Sequence, residues 1–294
     1  MSNCVRLAFS WQIRYNMKTM EKKRDVDRML ICPVCGEKLD LSVGQYRCDR
    51  GHCFDLAKEG YVNLLRSNKN GDLIGDDKLS ARSRRDFLNK GYYAPLQQEL
   101  CRIFAQRQGS VLDICCGEGY YTAALGENPN LKVFGFDISR EMVRLAAKRG
   151  NGTYFVANLA SIPVEAESMD YAIHLFAPFQ EQAFSRVLKT GGRLITVMPG
   201  RYHLWGLKQA LYDTPYENDE QLPQTAQLHL VSTHKVTDRI TLTCQEDIQA
   251  VFRMTPYYFH TSAKDKEKLF GLTALDTPIE FLIAEYEKIT GEQV

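Results

Sequence analysis

Short apolar runs alternate with amphipathic stretches over much of the chain. Runs at 111–115, 132–137, 152–156, 170–176 and 193–197 have the length of buried strands, and segments 140–148 and 181–188 between them carry apolar residues at helical spacing. Strands and helices alternating over such short connections predict a doubly wound, parallel α/β sheet with its ligand site at the carboxyl ends of the strands. Upstream, 76–91 and 96–106 predict two helices. Downstream, 231–235 and 240–242 predict further strands and 245–251 a helix. At the start of the chain, Val5, Leu7, Phe9, Trp11, Ile13 and Tyr15 alternate with mostly polar residues, a strand period, before the charged run EKKRDVDR. Three internal methionines, Met17, Met20 and Met29, precede the first motif, so residues 1–28 are expected to be a dispensable extension.

The pattern is interrupted most sharply at 111–122, VLDICCGEGYYT. An apolar strand carrying Asp113 breaks at Gly117 and Gly119 before a helix-permissive segment, and such a turn lets backbone approach a ligand closely. The next strand ends in Asp137, whose carboxylate can accept from the two hydroxyls of a ribose. These features predict a nucleoside cofactor. A pyrophosphate requires backbone N–H groups and no nearby acid, whereas Glu118 stands inside this loop. An acid there suits the ammonium and sulfonium of S-adenosylmethionine. Asn158, after the third strand, is placed to bond an adenine amino group. Asp113, Gly117, Glu118, Gly119, Asp137 and Asn158 are the expected cofactor set.

With 294 residues, 44% hydrophobic and 25% charged, the chain has an ordinary globular composition and enough length for one large domain and one small one. The net charge of +1 hides a split. Residues 1–110 hold 20 Lys and Arg against 13 Asp and Glu, whereas 111–294 hold 17 against 23. A basic front half favours a polyanionic partner. Nine cysteines, partly in C-x-x-C spacing, do not form a secreted disulfide framework and fit a reducing cytoplasm. No apolar run is long enough to cross a bilayer, so no membrane partner is expected.

The front half contains Cys32-Pro-Val-Cys35, twelve residues, Cys48, three residues and His52. Two knuckle-like pairs at this spacing bring four donors into the tetrahedron that Zn²⁺ prefers, and a site closed by four protein ligands is structural. Either His52 or the adjacent Cys53 completes the set. A module this small and polar needs the metal to fold. A polar stretch at 66–75 then reads as a linker. Arg82, Arg84 and Arg85 on the following helix could grip phosphates, and Tyr92 and Tyr93 arrive where an aromatic could cover a cofactor.

Taken together, CPVC…C-x3-H, FDLAKEGYVNLL at 54–65, RRDFL-x-x-G-x-Y at 84–93, DICCGEGYYT, FAP at 176–178 and PGRYHL at 199–204 resemble the bacterial 23S ribosomal RNA (guanine-N1)-methyltransferases of the zinc-containing RlmA type, from Cys32 onward. The resemblance implies a Rossmann-like class I methyltransferase fold with an N-terminal zinc ribbon. It also implies methylation of guanine N1 in a domain II hairpin of 23S rRNA lining the peptide exit tunnel, a site linked to antibiotic susceptibility. Zinc ligands Cys32, Cys35, Cys48 and His52, with cofactor contacts at Tyr93, Gly117, Glu118 and His203, are implied in the same way. The chain then divides into the extension 1–28, a zinc-binding RNA-recognition module 29–66, a linker and covering helices 67–110, and the methyltransferase domain 111–294. Guanine N1 must lose a proton, for which His174 and His203 are candidates. Phe176 and Phe179 are expected to wall an extruded base. Two departures stand out: Cys115 replaces the usual first glycine of the loop, and residues 1–28 lie outside the family pattern. A homodimer stays open, as do two rivals: a small-molecule methyltransferase and a nonenzymatic zinc-ribbon RNA-binding protein.

Overall fold

A computed structural model describes residues 29–65 and 78–289. The alternating segment 5–15, the extension and the whole polar linker 66–75 lie outside the described residues. Three short antiparallel strands open the fold: β1 (Asp40–Ser42), β2 (Gln45–Arg47) and β3 (Cys53–Asp55). A two-residue strand β4 (Val62–Asn63) follows, then helices α1 (Lys78–Asn89) and α2 (Ala94–Phe104). The expected alternation comes next: β5 (Gly109–Ile114), α3 (Tyr120–Leu125), β6 (Leu131–Asp137), α4 (Arg140–Arg149), β7 (Thr153–Val156), β8 (Met169–Leu175), α5 (Glu181–Val187) and β9 (Leu188–Pro199). The chain continues through α6 (Trp205–Leu211), β10 (Leu228–Leu242), α7 (Gln245–Arg253), two short helices and β11 (Leu275–Lys288).

One eight-stranded sheet has the order β10-β11-β9-β8-β5-β6-β7-β4. The strands from β9 to β4 are parallel, as the alternation predicts, and β5 is buried along almost its whole length between helical layers. The parallel expectation fails at the other edge. β11 runs antiparallel to β9, and β10 antiparallel to β11, so the sheet is mixed. Segments 231–235 and 240–242 belong to one strand, β10, because it pairs with β11 along its whole length. Gly191 and Gly192 lie in β9, where the register with β8 slips between Met169 and Tyr171.

Residues 29–65 are joined to the large sheet through backbone as well as side chains. β4 extends the large sheet beyond β7, with Leu64 N donating to the Val156 carbonyl at 2.9 Å, and Ile31 N donates to the Pro163 carbonyl at 3.0 Å. Leu30, Leu39, Tyr46, Val62 and Leu64 share a core with Leu112, Phe134 and Phe155 of the sheet. This shared burial supplies apolar contact that a small isolated module lacks. Among the described residues, no helix is long and apolar enough to cross a membrane.

Candidate active site and zinc centre

The turn after β5 is built on three left-handed residues: Cys115 at φ 60°, Gly117 at φ 56° and Gly119 at φ 80°. Glycine is required at 119 for space as well, since a Cβ there would fall 2.7 Å from that of Ala146. Cys115, which takes the place of a glycine, bears the strain of a side chain in this region. The Asp137 carboxylate shapes the ligand edge of the turn, accepting from Gly117 N at 3.0 Å and Ser139 N at 2.8 Å. Asp113 is buried and accepts from the Thr122 hydroxyl, and burial raises its carboxyl to about 7. It ties strand to helix at the base of the loop.

Glu118 is 1% exposed. Its Oε2 meets Arg149 Nε at 2.5 Å, while Oε1 is buried without a hydrogen-bond partner. Burial raises the carboxyl and the guanidinium opposes that shift. Arg149 also donates to Asn89 and lies over the Tyr120 ring, fastening α4 to α1 and α3. A cavity of 270 Å³ opens over this loop, lined by Asp113, Gly117, Glu118, Asp137, Ile138 and Phe176 among others. An orphaned buried acid oxygen, a carboxylate at the next strand end and a glycine whose Cβ position is open fit the cationic and ribose ends of S-adenosylmethionine. Asn158 is exposed, uses its Oδ1 to accept from Ala160 N at 2.9 Å, and is not among the lining residues. Gly119 is also outside the lining and acts through packing.

A second cavity of 330 Å³ shares Arg84, Phe176 and Ala177 with the first. Tyr93, His174, Phe179, His203 and Tyr257 line it. Tyr93 and His203, implied as cofactor contacts, thus stand in this chamber, with Tyr93 Oη 3.1 Å from His203 Nε2. His203 Nδ1 accepts from Glu280 N at 3.2 Å, so in the neutral ring the proton belongs on Nε2. Burial lowers the His203 pKa to about 3 and the His174 pKa to about 4. His174 Nδ1 pairs with Thr196 Oγ1 at 3.0 Å, leaving Nε2 buried without a partner at bonding geometry. Phe176 adopts φ 55° and is 42% exposed, an exposed ring on strained backbone where the two chambers meet. Phe179 packs edge-on to His174 and Phe184.

In the zinc module, Cys32, Cys35, Cys48 and His52 bring one ligand atom each within 4.8 Å of one another. Cys35 Sγ and Cys48 Sγ are 3.7 Å apart, and His52 Nδ1 lies 3.3 Å from Cys48 Sγ and 3.6 Å from Cys32 Sγ. Tetrahedral zinc with bonds of about 2.3 Å to sulfur gives edges of about 3.7 Å, so the donor set fits a structural Cys₃His zinc. Cys53 is exposed and donates to the Gly51 carbonyl, which leaves His52 as the fourth ligand.

The arginine cluster on α1 is divided. Arg82 is exposed, Arg85 is paired with Asp86 at 2.7 Å, and Arg84 lines both cavities. Sequence reasoning missed Arg149, whose only signal was a basic residue in the last turn of a helix, and the contributions of Thr196 and Tyr257 to the second chamber.

A family model described as RlmA, N-terminal, matches residues 30–70, and a methyltransferase-domain model matches residues 111–194. A Streptomyces fradiae protein named 23S rRNA (guanine(748)-N(1))-methyltransferase is 34% identical over 64% of this chain and 70% of its own length. A Bacillus subtilis protein named for guanine-N1 methylation of 23S rRNA is 30% identical over 84% of this chain and 93% of its own. One from Micromonospora griseorubida with the same designation is 28% identical over 85% and 92%. With its zinc-ribbon donors, its S-adenosylmethionine loop and this similarity along both modules, the chain belongs to the 23S rRNA (guanine-N1)-methyltransferase family.

Proposed function

We propose that this enzyme transfers the methyl group of S-adenosylmethionine to N1 of a guanine in a domain II hairpin of 23S ribosomal RNA, in the cytoplasm. The observation that carries this reading is the pair of chambers meeting at Phe176 and Ala177, one edged by acids and the other walled by aromatic rings. The cofactor supplies an electrophilic methyl, and the chain positions the acceptor behind it. In this reading Glu118 Oε1 accepts from the cofactor ammonium, Asp137 from the ribose hydroxyls, and Gly117 allows close backbone approach. Asp113 and Gly119 hold the loop, and Asn158, exposed and outside the cavity lining, would be the contact for the adenine amino group. Tyr93 and His203 bear on the methionine end from the acceptor side.

Phe176 and Phe179 would stack the extruded guanine, and the buried, unpartnered Nε2 of His174 would meet its edge at the proton that must leave. A neutral His203 with both ring nitrogens engaged is the weaker candidate for that proton. Residues 29–66 would serve as the RNA-recognition module. Arg82 and Arg84 would add phosphate contacts, helped by Arg85 if it exchanges Asp86 for phosphate, which predicts salt-dependent rRNA binding. Residues 67–110 would link and cover the site, and 111–294 carry out transfer. A homodimer enters only as an assembly state, since each chain carries the full set of these residues.

Labelled methyl transfer tests the reading. Counts from tritiated S-adenosylmethionine should enter 23S rRNA and its isolated domain II hairpin, and not small-molecule acceptors. Transfer to small molecules alone would establish the first rival, and cofactor-independent RNA binding without transfer the second.

A further inference from the structure

Lys208, on α6, is fully buried. Its Nζ donates to the Tyr216 carbonyl at 2.8 Å and to Asn218 Oδ1 at 2.7 Å, and lies over the rings of Tyr216 at 4.2 Å and Tyr257 at 5.0 Å. None of these contacts neutralises the ammonium, and a buried cation without an anion is costly, so burial lowers the Lys208 pKa from its usual value. The loop that supplies Asn218 has acids on both sides of it: Glu217, Asp219 and Glu220. Glu217 bonds Arg201 and the Tyr202 hydroxyl, Glu220 pairs with Lys235, and Asp219 accepts from Gln221 N. The acids are occupied elsewhere, and the residue facing the lysine is the neutral isostere of an aspartate.

This charge sits directly behind the second chamber. Tyr257, under the ammonium, lines that chamber and donates to Asn218 Oδ1 at 3.2 Å. Asn218 Nδ2 donates to the carbonyls of Gly200 and of His203, another lining residue. The titratable groups packed around Lys208 are Tyr216, Tyr257 and His203, with the Tyr212 ring tilted against that of Tyr216; burial raises the Tyr216 and Tyr257 hydroxyls and lowers His203, so these three are uncharged at neutral pH. The Lys208 charge also works against protonation of His203.

We propose that Lys208 is a fixed positive charge that stabilises the acceptor guanine after its N1 proton has left. The inference rests on the guanine-N1 reading and adds an electrostatic residue to it. Loss of the N1 proton to solvent or to His174 leaves a negative charge spread over N1 and O6. The N1 electron pair then bonds the methyl carbon as the carbon–sulfur bond breaks toward sulfur, giving neutral methylated guanine, a neutral thioether and one released proton. A preorganised cation near the developing anion favours this state most where water is excluded. The buried, neutral histidines of this chamber then need not act as strong bases.

The test is the pH dependence of single-turnover methyl transfer to 23S rRNA by the wild type, Lys208→Met and Asn218→Asp. The second variant keeps the lysine and adds the missing anion, so it carries the test if the first does not fold. Both should move the rising limb of the rate profile up by about one pH unit, roughly a tenfold loss near neutrality that recovers in alkali, with cofactor affinity unchanged. A rising limb that stays at the wild-type pH, or a loss equal at every pH, would overturn the proposal. Wild-type enzyme that does not yield N1-methylguanine would instead remove the substrate reading beneath it.

Discussion

Glu118 and Arg149 form a buried ion pair, 2.5 Å from Oε2 to Nε, that leaves the second carboxylate oxygen unmatched beside the cavity over the glycine turn. Arg149 fixes the carboxylate in place, and the free oxygen is where a cofactor ammonium would bond. Glu118→Gln should therefore weaken S-adenosylmethionine binding by about 10- to 100-fold, the range expected for one hydrogen bond to a charged group. Calorimetry should show a much smaller loss for methylthioadenosine, which lacks the methionine ammonium and carboxylate. Equal losses for both ligands would mean that Glu118 only supports the loop.

Cys115 tests backbone strain in the same loop. Its side chain occupies φ 60°, where glycine is at ease. Removing the thiol also loses contacts, so the informative comparison is between two variants that both lack it. Cys115→Gly should be more stable than Cys115→Ala by about 1 kcal/mol in denaturant unfolding. Equal stabilities would show that the loop relaxes around residue 115.

Zinc removal should have effects beyond its own module. The four donors organise residues whose last strand, β4, is an edge of the large sheet. Chelation, or Cys35→Ser, should speed hydrogen exchange at Leu64 N and lower the thermal midpoint, while β5 and β6 at the sheet centre keep their protection. Unchanged exchange at Leu64 would show that β4 stays paired without the metal.

Acid should destabilise the fold through its buried histidines. His174 and His203 have pKa values lowered to about 4 and about 3, so below pH ~6.5 the unfolded chain takes up protons that the folded chain refuses. Each then removes up to about 1.4 kcal/mol per pH unit as pH falls. Asp113, raised to about 7, runs the other way, since its contribution declines as pH rises from about 4 to about 7. Glu118, also raised by burial, joins Asp113, whereas Asp170 and Asp247, held low against their burial by Lys189 and Lys90, join the histidines and leave a net loss on acidification. His203→Gln should flatten the slope of stability against pH below about 6 by roughly one histidine's share. An unaltered slope would mean that His203 is protonated in the native state.

The strands that build the site could be read from the sequence because both of their faces are buried, which makes them continuous apolar runs such as VLDI and VFGF. The loop glycines and the zinc donors were readable for a related reason, since few other residues satisfy those geometries. The antiparallel edge was harder. β10 is largely exposed, so Leu230 and Val231 give no clean alternation and a continuous strand looks like two fragments. β4 was missed because two residues carry no period at all. Partners distant in sequence, such as Arg149 for Glu118 and Asn218 for Lys208, are set by tertiary packing and leave no local pattern.

The most direct test of the central claim is the identity of the methylated atom. Wild-type enzyme, S-adenosylmethionine and unmodified 23S rRNA should give, after digestion to nucleosides and mass spectrometry, N1-methylguanosine arising from one domain II hairpin. Methyl on another guanine atom, on another base, or on no nucleoside would contradict the account.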